Sequence, residues 1–328
     1  CLNNQNFTSA TTVYNVAVGF NAGFAVTTGQ SNTLIGGLAG DALTTGSENT
    51  AVGYRALSTE DGNGLNTAIG VDSLMTQNAG ANAYNTAVGY HSGKLVTTGV
   101  QNTLIGGLAG DALTDADNNV AIGKSAMTTN QLGSDSVAVG TFALNSMNPA
   151  SAVSMHNVAV GHNTGAAVTT GTLNTLIGSL AGDALNTANS NVAIGYSALS
   201  TDTKGDNSVA IGENALLTQN FTSSTDSYNV AVGSNAGRAV TTGQSNTLIG
   251  GLAGDAITTG GSNTFVGYNS GHVESTGANN VIIGQAGQAQ TLTNDTVAVG
   301  DGALQTNTKS AKNTAIGRSA LRNLNHTS

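Results

Sequence analysis

One short hydrophobic pattern recurs along the whole chain: an apolar run that ends in Val or Ile and is followed at once by glycine. The residue three places after that glycine is small, and an Asn, Ser or Thr stands four places before it. Most neighbouring copies are seventeen residues apart, as Gly36 and Gly53 are. The closing glycines are Gly19, Gly36, Gly53, Gly70, Gly89, Gly106, Gly123, Gly140, Gly161, Gly178, Gly195, Gly212, Gly233, Gly250, Gly267, Gly284, Gly300 and Gly317.

Each copy is too short to fold alone, so the spacing predicts a solenoid in which one copy is one coil stacked on the next. β-Branched residues favour an extended backbone, and a run of them that ends in glycine indicates a short strand leading into a turn. The glycine supplies either a positive φ or room for a neighbouring backbone. No 3.6-residue apolar period is present, so no helix is predicted. The fold class is therefore all-β, a parallel β-solenoid. The residue before each glycine is predicted to form the core ladder, which begins with Val18, Ile35, Val52, Ile69, Val88 and Ile105.

The Asn that stands four places before the glycine has two interpretations. In a stack, like residues lie above like, and an Asn column can hydrogen-bond from coil to coil through its side-chain amides. Asn is also a common turn residue, because it tolerates the left-handed region and bonds its own backbone. Both interpretations stay open.

A longer period of four coils lies over the first. The phrase Gly-Leu-Ala-Gly-Asp-Ala-Leu at 37–43 returns at 107–113, and with one substitution each at 179–185 and 251–257. We therefore expect one continuous solenoid over 1–328. Its four-coil blocks lie near 15–84, 85–156, 157–228 and 229–328.

The fourth coil of each of the first three blocks is long, with extra residues at 77–84, 147–156 and 219–228. Insertions in a solenoid map to loops on one face, so these segments predict periodic surface loops. Such loops suit contact with a carbohydrate or another surface, and a surface-binding adhesin module is one alternative function. The candidate contact residues are Gln77, Asn78, Met147, His156, Gln219 and Phe221.

Composition limits both the core and the partners. The 328 residues include 45 Gly, one Pro and no Trp, so each coil has a thin core. A stack this thin hides little apolar surface, which favours association of several chains, with a closed three-fold arrangement preferred. The formal charge of −9 and the lack of a Lys/Arg cluster argue against a nucleic-acid partner. No apolar run is long enough to span a membrane, so no membrane insertion is predicted in this segment.

No catalytic, metal or cofactor site emerges from the sequence, and we predict that the chain is not an enzyme. Neither a Ser-His-Asp set nor a carboxylate pair converges, and a phosphate-binding glycine loop would need a following helix. The histidines lack Cys or carboxylate partners at ligand spacing, although in a three-chain assembly a histidine near the axis could bind an ion with its symmetry mates. They are His91, His156, His162, His272 and His326.

One aspartate recurs in each block, after a Leu-Ala-Gly phrase. Four coils separate successive members by roughly 19 Å, too far for them to share one ion, so they are predicted to be solvated turn residues. They are Asp41, Asp111, Asp183 and Asp255. The Thr27-Thr28 phrase and its copies raise a lesser alternative, an ice-binding solenoid, since flat threonine arrays can order water.

Both ends of the chain fall in the middle of a repeat. Residues 4–7 resemble 218–221, which places Cys1 where Ala215 falls within its coil. Solenoids need capping units for solubility, and neither end shows one. We therefore expect a window of a longer protein, with a lipid-modified N-terminal Cys as the alternative.

Two stretches resemble known fibre proteins. They are Asn-Thr-Ala-Val-Gly-Tyr-Arg-Ala-Leu-Ser-Thr at 49–59 and Asn-Val-Ala-Ile-Gly-Tyr-Ser-Ala-Leu-Ser-Thr at 191–201. They are similar to the head repeats of trimeric autotransporter adhesins and, more closely in coil length, to the shaft repeats of bacteriophage and algal-virus fibres. The resemblance implies a left-handed β-roll formed by three chains, intertwined or side by side, at an extracellular or virion surface. The implied function is a structural or adhesive shaft that holds a receptor-binding tip away from a virion or cell, with itself and a host-surface glycan or receptor as partners.

Overall fold

A computed structural model describes residues 1–273, 275–288, 294–307 and 311–324 of the chain. The chain divides into two compact units, Cys1–Asn163 and Thr164–Ser328. In both, the described residues form short strands and turns with no helix, and every strand pair within a unit is parallel. This confirms the predicted all-β parallel solenoid with coils of about 17 residues. A single continuous body over 1–328 stays a prediction.

The strands of the first unit are β1 (Val16–Val18), β2 (Thr33–Ile35), β3 (Thr50–Val52), β4 (Thr67–Ile69), β5 (Thr86–Val88), β6 (Thr103–Ile105), β7 (Val120–Ile122), β8 (Gly133–Ser134), β9 (Val137–Val139), β10 (Val153–Ser154) and β11 (Val158–Val160). The three-residue strands form one sheet in chain order, and β8 pairs separately with β10.

The strands of the second unit are β12 (Thr175–Ile177), β13 (Val192–Ile194), β14 (Gly205–Asp206), β15 (Val209–Ile211), β16 (Thr225–Asp226), β17 (Val230–Val232), β18 (Thr247–Ile249), β19 (Thr264–Val266), β20 (Val281–Ile283), β21 (Val297–Val299), β22 (Thr306–Asn307), β23 (Thr314–Ile316) and β24 (Asn323–Leu324). Here too the three-residue strands form one sheet in chain order, while β14 pairs with β16 and β22 with β24.

The long coils keep this register, because their extra residues leave the strand ladder undisturbed. Thr67 pairs with Thr86, and Val137 pairs with Val158, just as Thr50 pairs with Thr67 across a coil of ordinary length. Two of the predicted loops also contain a short strand of their own. The segment 147–156 contributes β10, and the segment 219–228 contributes β16.

The core ladder consists of the middle residue of each strand. Leu34, Ala51 and Ala68 are fully buried, because side chains alternate along a strand and only the second of three points inward. The prediction that the residue before the glycine forms the core is therefore wrong for the single chain. That residue is the third of the strand and shares the outer face with the first. Val18, Ile35, Ile69 and Ile105 are exposed, and Val52 and Val88 are only partly buried.

Two of the kinds of coil fill the interior in complementary ways. Leu34 lies against Gly40, where an added Cβ would come within 2.8 Å of a Leu34 methyl group. The next coil has the small Ala51 in its strand and the fully buried Leu57 in the position of Gly40. Large and small residues thus exchange places from one kind of coil to the other, which keeps the interior filled.

The closing glycines meet both demands that the sequence suggested. Gly53 has a φ of +140°, a conformation that L side chains rarely adopt. A Cβ at Gly53 would also lie 2.3 Å from the carbonyl oxygen of Gly70 in the next coil. Most of the other closing glycines also combine a positive φ with a similarly short distance to the next coil. Successive coils can approach each other this closely only because these residues have no side chain.

The Asn four places before the glycine is buried and bonds to the adjacent coil. Asn32, Asn102 and Asn246 are at most 1% exposed, and each hydrogen-bonds to an Asn of the coil before it. The ladder interpretation is therefore confirmed for these residues.

Candidate functional site: the outer face of the sheet

The outer face of the sheet carries two columns of β-branched side chains. They are the first residue of each three-residue strand, which is Thr or Val, and the third, which is Val or Ile. Neither column contains a charged residue. Side chains alternate along a strand, so the first and third residues of a three-residue strand point the same way. Both columns therefore lie on the same side of the sheet.

The third-residue column is exposed or half-buried even in the middle of the stack, with Val52, Val88 and Ile122 among its half-buried members. Ile69 and Ile105 remain 38% exposed although a strand pairs on each side of them. In the second unit Ile249 and Ile283 are 40% exposed in the same situation. The neighbouring coils therefore cover only part of each side chain, and the remainder faces outward from every coil.

Aromatic residues flank these columns on both sides. Tyr54 and Tyr90 follow closing glycines directly, and Tyr84 precedes the buried Asn85 at the opposite border. All three are at least half exposed. An exposed apolar surface of this extent is typical of an interaction site. The outer face, defined here as the first and third strand columns with these aromatic borders, is the candidate site.

The six candidate contact residues of the long loops do not form a surface. Gln77, Met147 and Gln219 are fully buried and Phe221 is 5% exposed, so their prediction as surface contacts is wrong. Gln219, for example, donates to Asp202 Oδ2 at 2.6 Å and accepts from Asn229 at 2.8 Å inside the coil. Asn78 and His156 are exposed, as predicted. The amide side chains turn inward because the coil interior holds unpaired polar groups that they satisfy.

A ladder of charged side chains runs along the first unit, two places after successive closing glycines. Arg55 binds Asp72 through two hydrogen bonds, at 2.9 and 2.7 Å, and His91 Nε2 lies 3.2 Å from the same carboxylate. His91 also stacks on Tyr90 with ring centroids 3.7 Å apart. Burial would raise the pKa of Asp72, but the bidentate bond and charge of Arg55, with the charges of His91 and Lys94, hold that pKa below its ordinary value.

Sequence reasoning missed this ladder, although a signal was present. Arg55 and Asp72 are seventeen residues apart and Asp72 and His91 nineteen, which are the lengths of one ordinary and one long coil. Residues one coil apart lie above each other, so opposite charges at that spacing predict an ion pair.

The four recurring aspartates lie in turns, as predicted, but the predicted solvation is wrong for Asp255, which is buried, and holds only in part for the other three, which are half-buried. Burial raises the pKa of Asp41 and of Asp183, with a backbone hydrogen bond opposing it. Asp111 accepts from the Thr128 hydroxyl of the next coil. Asp255 is 5% exposed and lies 2.5 Å from His272 Nδ1.

The described residues contain no group of three or more His, Cys, Asp or Glu side chains able to hold a metal ion. His326 lies outside the described residues. Within the described part of the chain, no helix has the length and apolar character that crossing a membrane requires.

A comparison of the chain with models of known protein families finds no match, and a comparison with the curated proteins finds none either.

Proposed function

We propose that this chain is a segment of a fibre shaft, in which three copies bury the outer face of the sheet against one another. The exposed, uncharged β-branched columns carry the proposal. Full burial of a Val or Ile side chain contributes about 1.5–3 kcal/mol, so covering the exposed part of each Ile would contribute about 1 kcal/mol. Summed over the coils of a stack, this gain is of the same order as the roughly 4–15 kcal/mol that association costs.

The repeat also favours a closed assembly over an open one. Within each unit the parallel strands present their first and third side chains on the outer face, so a rotational axis parallel to that stack brings all copies of the face together at once. Three chains around such an axis, each a left-handed β-roll, match the resemblance noted for 49–59 and 191–201. The resulting shaft would stand at an extracellular or virion surface and hold a receptor-binding tip away from it.

The mass in solution tests this proposal. Sedimentation equilibrium should give three times the 32.3 kDa of one chain. The double variant Ile69→Lys with Ile105→Lys places charges on the outer face and should sediment as a folded monomer. Its matched control is Phe24→Lys with Leu95→Lys, because those side chains are exposed to a similar degree, 41% and 44%, but lie in turns. A wild-type chain that stays monomeric at micromolar concentration would refute the proposal, as would a control pair that dissociates equally.

A second candidate function rests on the first-residue column. Thr33, Thr50 and Thr67 stand in register beside Ile35, Val52 and Ile69, which gives a regular array of hydroxyl and methyl groups about 4.8 Å apart along the stack. Such an array on a monomer is suited to ordering water at an ice surface. Inhibition of ice recrystallisation by the wild-type chain, abolished by Thr50→Lys, would support this function. Trimer formation would instead cover the array.

A further inference from the structure

The last coils of the second unit carry polar side chains above one another at the turn that follows the strand. The column consists of His272, Gln288, Gln305 and Arg322, which come from four successive coils. Arg322 Nε donates to Gln305 Oε1 at 2.6 Å, and Gln305 Nε2 donates to Gln288 Oε1 at 3.4 Å. These bonds align the amide and guanidinium groups along the stack.

A buried carboxylate fixes the first member of the column. Asp255 is 5% exposed, and its Oδ1 lies 2.5 Å from His272 Nδ1. The carboxylate accepts from Nδ1–H, which sets the orientation of the ring and leaves Nε2 to a ligand. The hydrogen bond to Asp255 holds the His272 ring in one orientation, as carboxylates do for histidines that bind a ligand.

The column lines a groove of about 570 Å³, together with Asn269, Thr306 and Asn323. All of these described lining residues have side chains that hydrogen-bond, and none is a carboxylate. Arg322 brings a positive charge to this groove on a chain whose formal charge is −9. The groove therefore suits a ligand that has many hydroxyl groups and a negative charge.

The fold itself does not require polar residues in this column. His272, Gln305 and Arg322 stand five places after their closing glycines, and Gln288 stands four places after Gly284. The position five places after the closing glycine is occupied by Met75 in the first block and by Leu217 in the third. Ala166 occupies the same position in another coil.

Polar residues also occur at this position elsewhere, as Lys94, Asp111, Thr128 and Asn145 do in four successive coils. What distinguishes the last coils is the groove that these groups line and the hydrogen bonds that join Gln288, Gln305 and Arg322.

We propose that this groove binds an acidic saccharide, a sugar chain that carries a carboxylate. The side-chain amides of Gln288, Gln305 and Asn323 both donate and accept, as sugar hydroxyls do. The Arg322 guanidinium offers the fork that pairs with a carboxylate. Groups one coil apart stand about 4.8 Å from each other, so the column contacts an elongated ligand at several successive points. The site is built from one chain and does not depend on the proposed self-association.

Saturation-transfer NMR on the full chain tests the proposal, with sialyllactose and trigalacturonate as acidic probes, lactose and galactotriose as their neutral counterparts, and citrate as a free carboxylate. At least one acidic probe should bind more tightly than its neutral counterpart and than citrate. Arg322→Gln should weaken that binding by at least about tenfold, because a charge-assisted bond is lost. Gln305→Met should weaken binding of the acidic probe as well, because it removes the group that aligns Arg322.

The matched control is Arg238→Gln, which removes the same charge from an exposed side chain that stands two coils before His272 and does not line the groove. It should leave binding unchanged. Failure of both acidic probes to bind at millimolar concentration would overturn the proposal, as would equal weakening by the two arginine variants. Binding of citrate as tight as that of the acidic sugars would reduce the site to one for a free anion and overturn its assignment to a saccharide.

Discussion

The side-chain oxygen of Asn49 accepts a hydrogen bond from the backbone N–H of Asn66, one coil later, at 3.1 Å. The amide nitrogen of Asn49 donates to Asn32 Oδ1 at 3.2 Å and to the carbonyl of Asn63 at 3.1 Å. One buried side chain therefore connects three successive coils. It satisfies backbone groups that the short strands leave unpaired, which is why the coil needs this residue before the strand.

Replacing Asn49 by Ala should destabilise the first unit by about 2–4 kcal/mol, because the Asn66 N–H and the Asn63 carbonyl lose their partner inside the protein. Denaturant unfolding followed by circular dichroism measures the change. The chain supplies its own control, since Ser136 occupies the equivalent position and its hydroxyl accepts from Asn157 N–H at 3.2 Å. Asn49→Ser should therefore cost less than Asn49→Ala. Equal losses would contradict the assigned role of the side-chain acceptor.

Two adjacent glycines should respond differently to the same substitution. Gly106 has a φ of +132°, and a Cβ there would lie 2.7 Å from the carbonyl of Gly123. Gly106→Ala should cost more than about 3 kcal/mol or prevent folding, since strain and a backbone clash add. At Gly107 a Cβ would meet nothing within 4 Å. Gly107→Ala should leave the melting temperature unchanged or raise it slightly.

Gly317 separates the two causes of the glycine requirement. Its φ is +118°, but a Cβ there would meet nothing within 4 Å. Gly317→Ala should therefore show the cost of backbone strain alone, about 1–3 kcal/mol, and less than Gly106→Ala. If both variants lost the same stability, the close contact between coils would not be the reason why glycine recurs at this position.

The sequence predicted the solenoid, its parallel coils and its register, because the period of the glycine determines them. It misassigned the core, because the most regular apolar position, the residue before the glycine, lies on the outer face. A better indication of the core was that side-chain size at the middle strand position is balanced by side-chain size six residues later. Where the strand holds Leu34 or Leu104, the position six residues later is Gly40 or Gly110, and where that position is Leu57 the strand holds an Ala. Only buried residues need to balance their volumes in this way.

The same compensation predicts a coupling between substitutions. A Cβ on Gly110 would lie 2.7 Å from Leu113 and 2.8 Å from Leu104. Gly110→Leu alone should overpack the interior and cost about 1–3 kcal/mol or more. Adding Leu104→Ala and Leu113→Asn makes this coil similar to the following one, which has Ala121, Met127 and Asn130 at these positions, and should recover part of that loss. A thermal-unfolding cycle that shows simple additivity would contradict the packing argument.

The loops show a second limit of sequence reasoning. Gln77 and Gln219 lie in polar insertions and read as surface residues, yet both are fully buried. Their partners, Asn85 and Asp202, are brought close only by the coil geometry. A period of seventeen residues predicts which residues stack, but not which way a side chain in an insertion points. The polar groups that remain unpaired inside the coil determine that direction.

A buried glutamate provides the final prediction, which concerns pH. Glu60 is fully buried; its Oε1 accepts from the Asn63 backbone and side chain, both at 3.1 Å, while its Oε2 has no hydrogen-bond partner. Burial raises the pKa of Glu60, and the hydrogen bonds from Asn63 oppose this only in part. The folded state therefore binds the proton more tightly than the unfolded state does. The stability from this group is fully present below the ordinary glutamate pKa and is lost as the pH rises through the folded value.

Glu60→Gln removes the buried charge and keeps an acceptor for Asn63, so it should raise the melting temperature at pH 7.5 (about neutral) and have little effect near pH 4. Glu48→Gln, at an exposed glutamate of the same unit, should change neither value. Asp202 occupies the equivalent position in the second unit, but both of its oxygens accept hydrogen bonds, from Gly205, Phe221 and Gln219. Asp202→Asn should therefore destabilise where Glu60→Gln stabilises. The same sign for both variants at neutral pH would show that hydrogen-bond satisfaction does not distinguish the two buried acids.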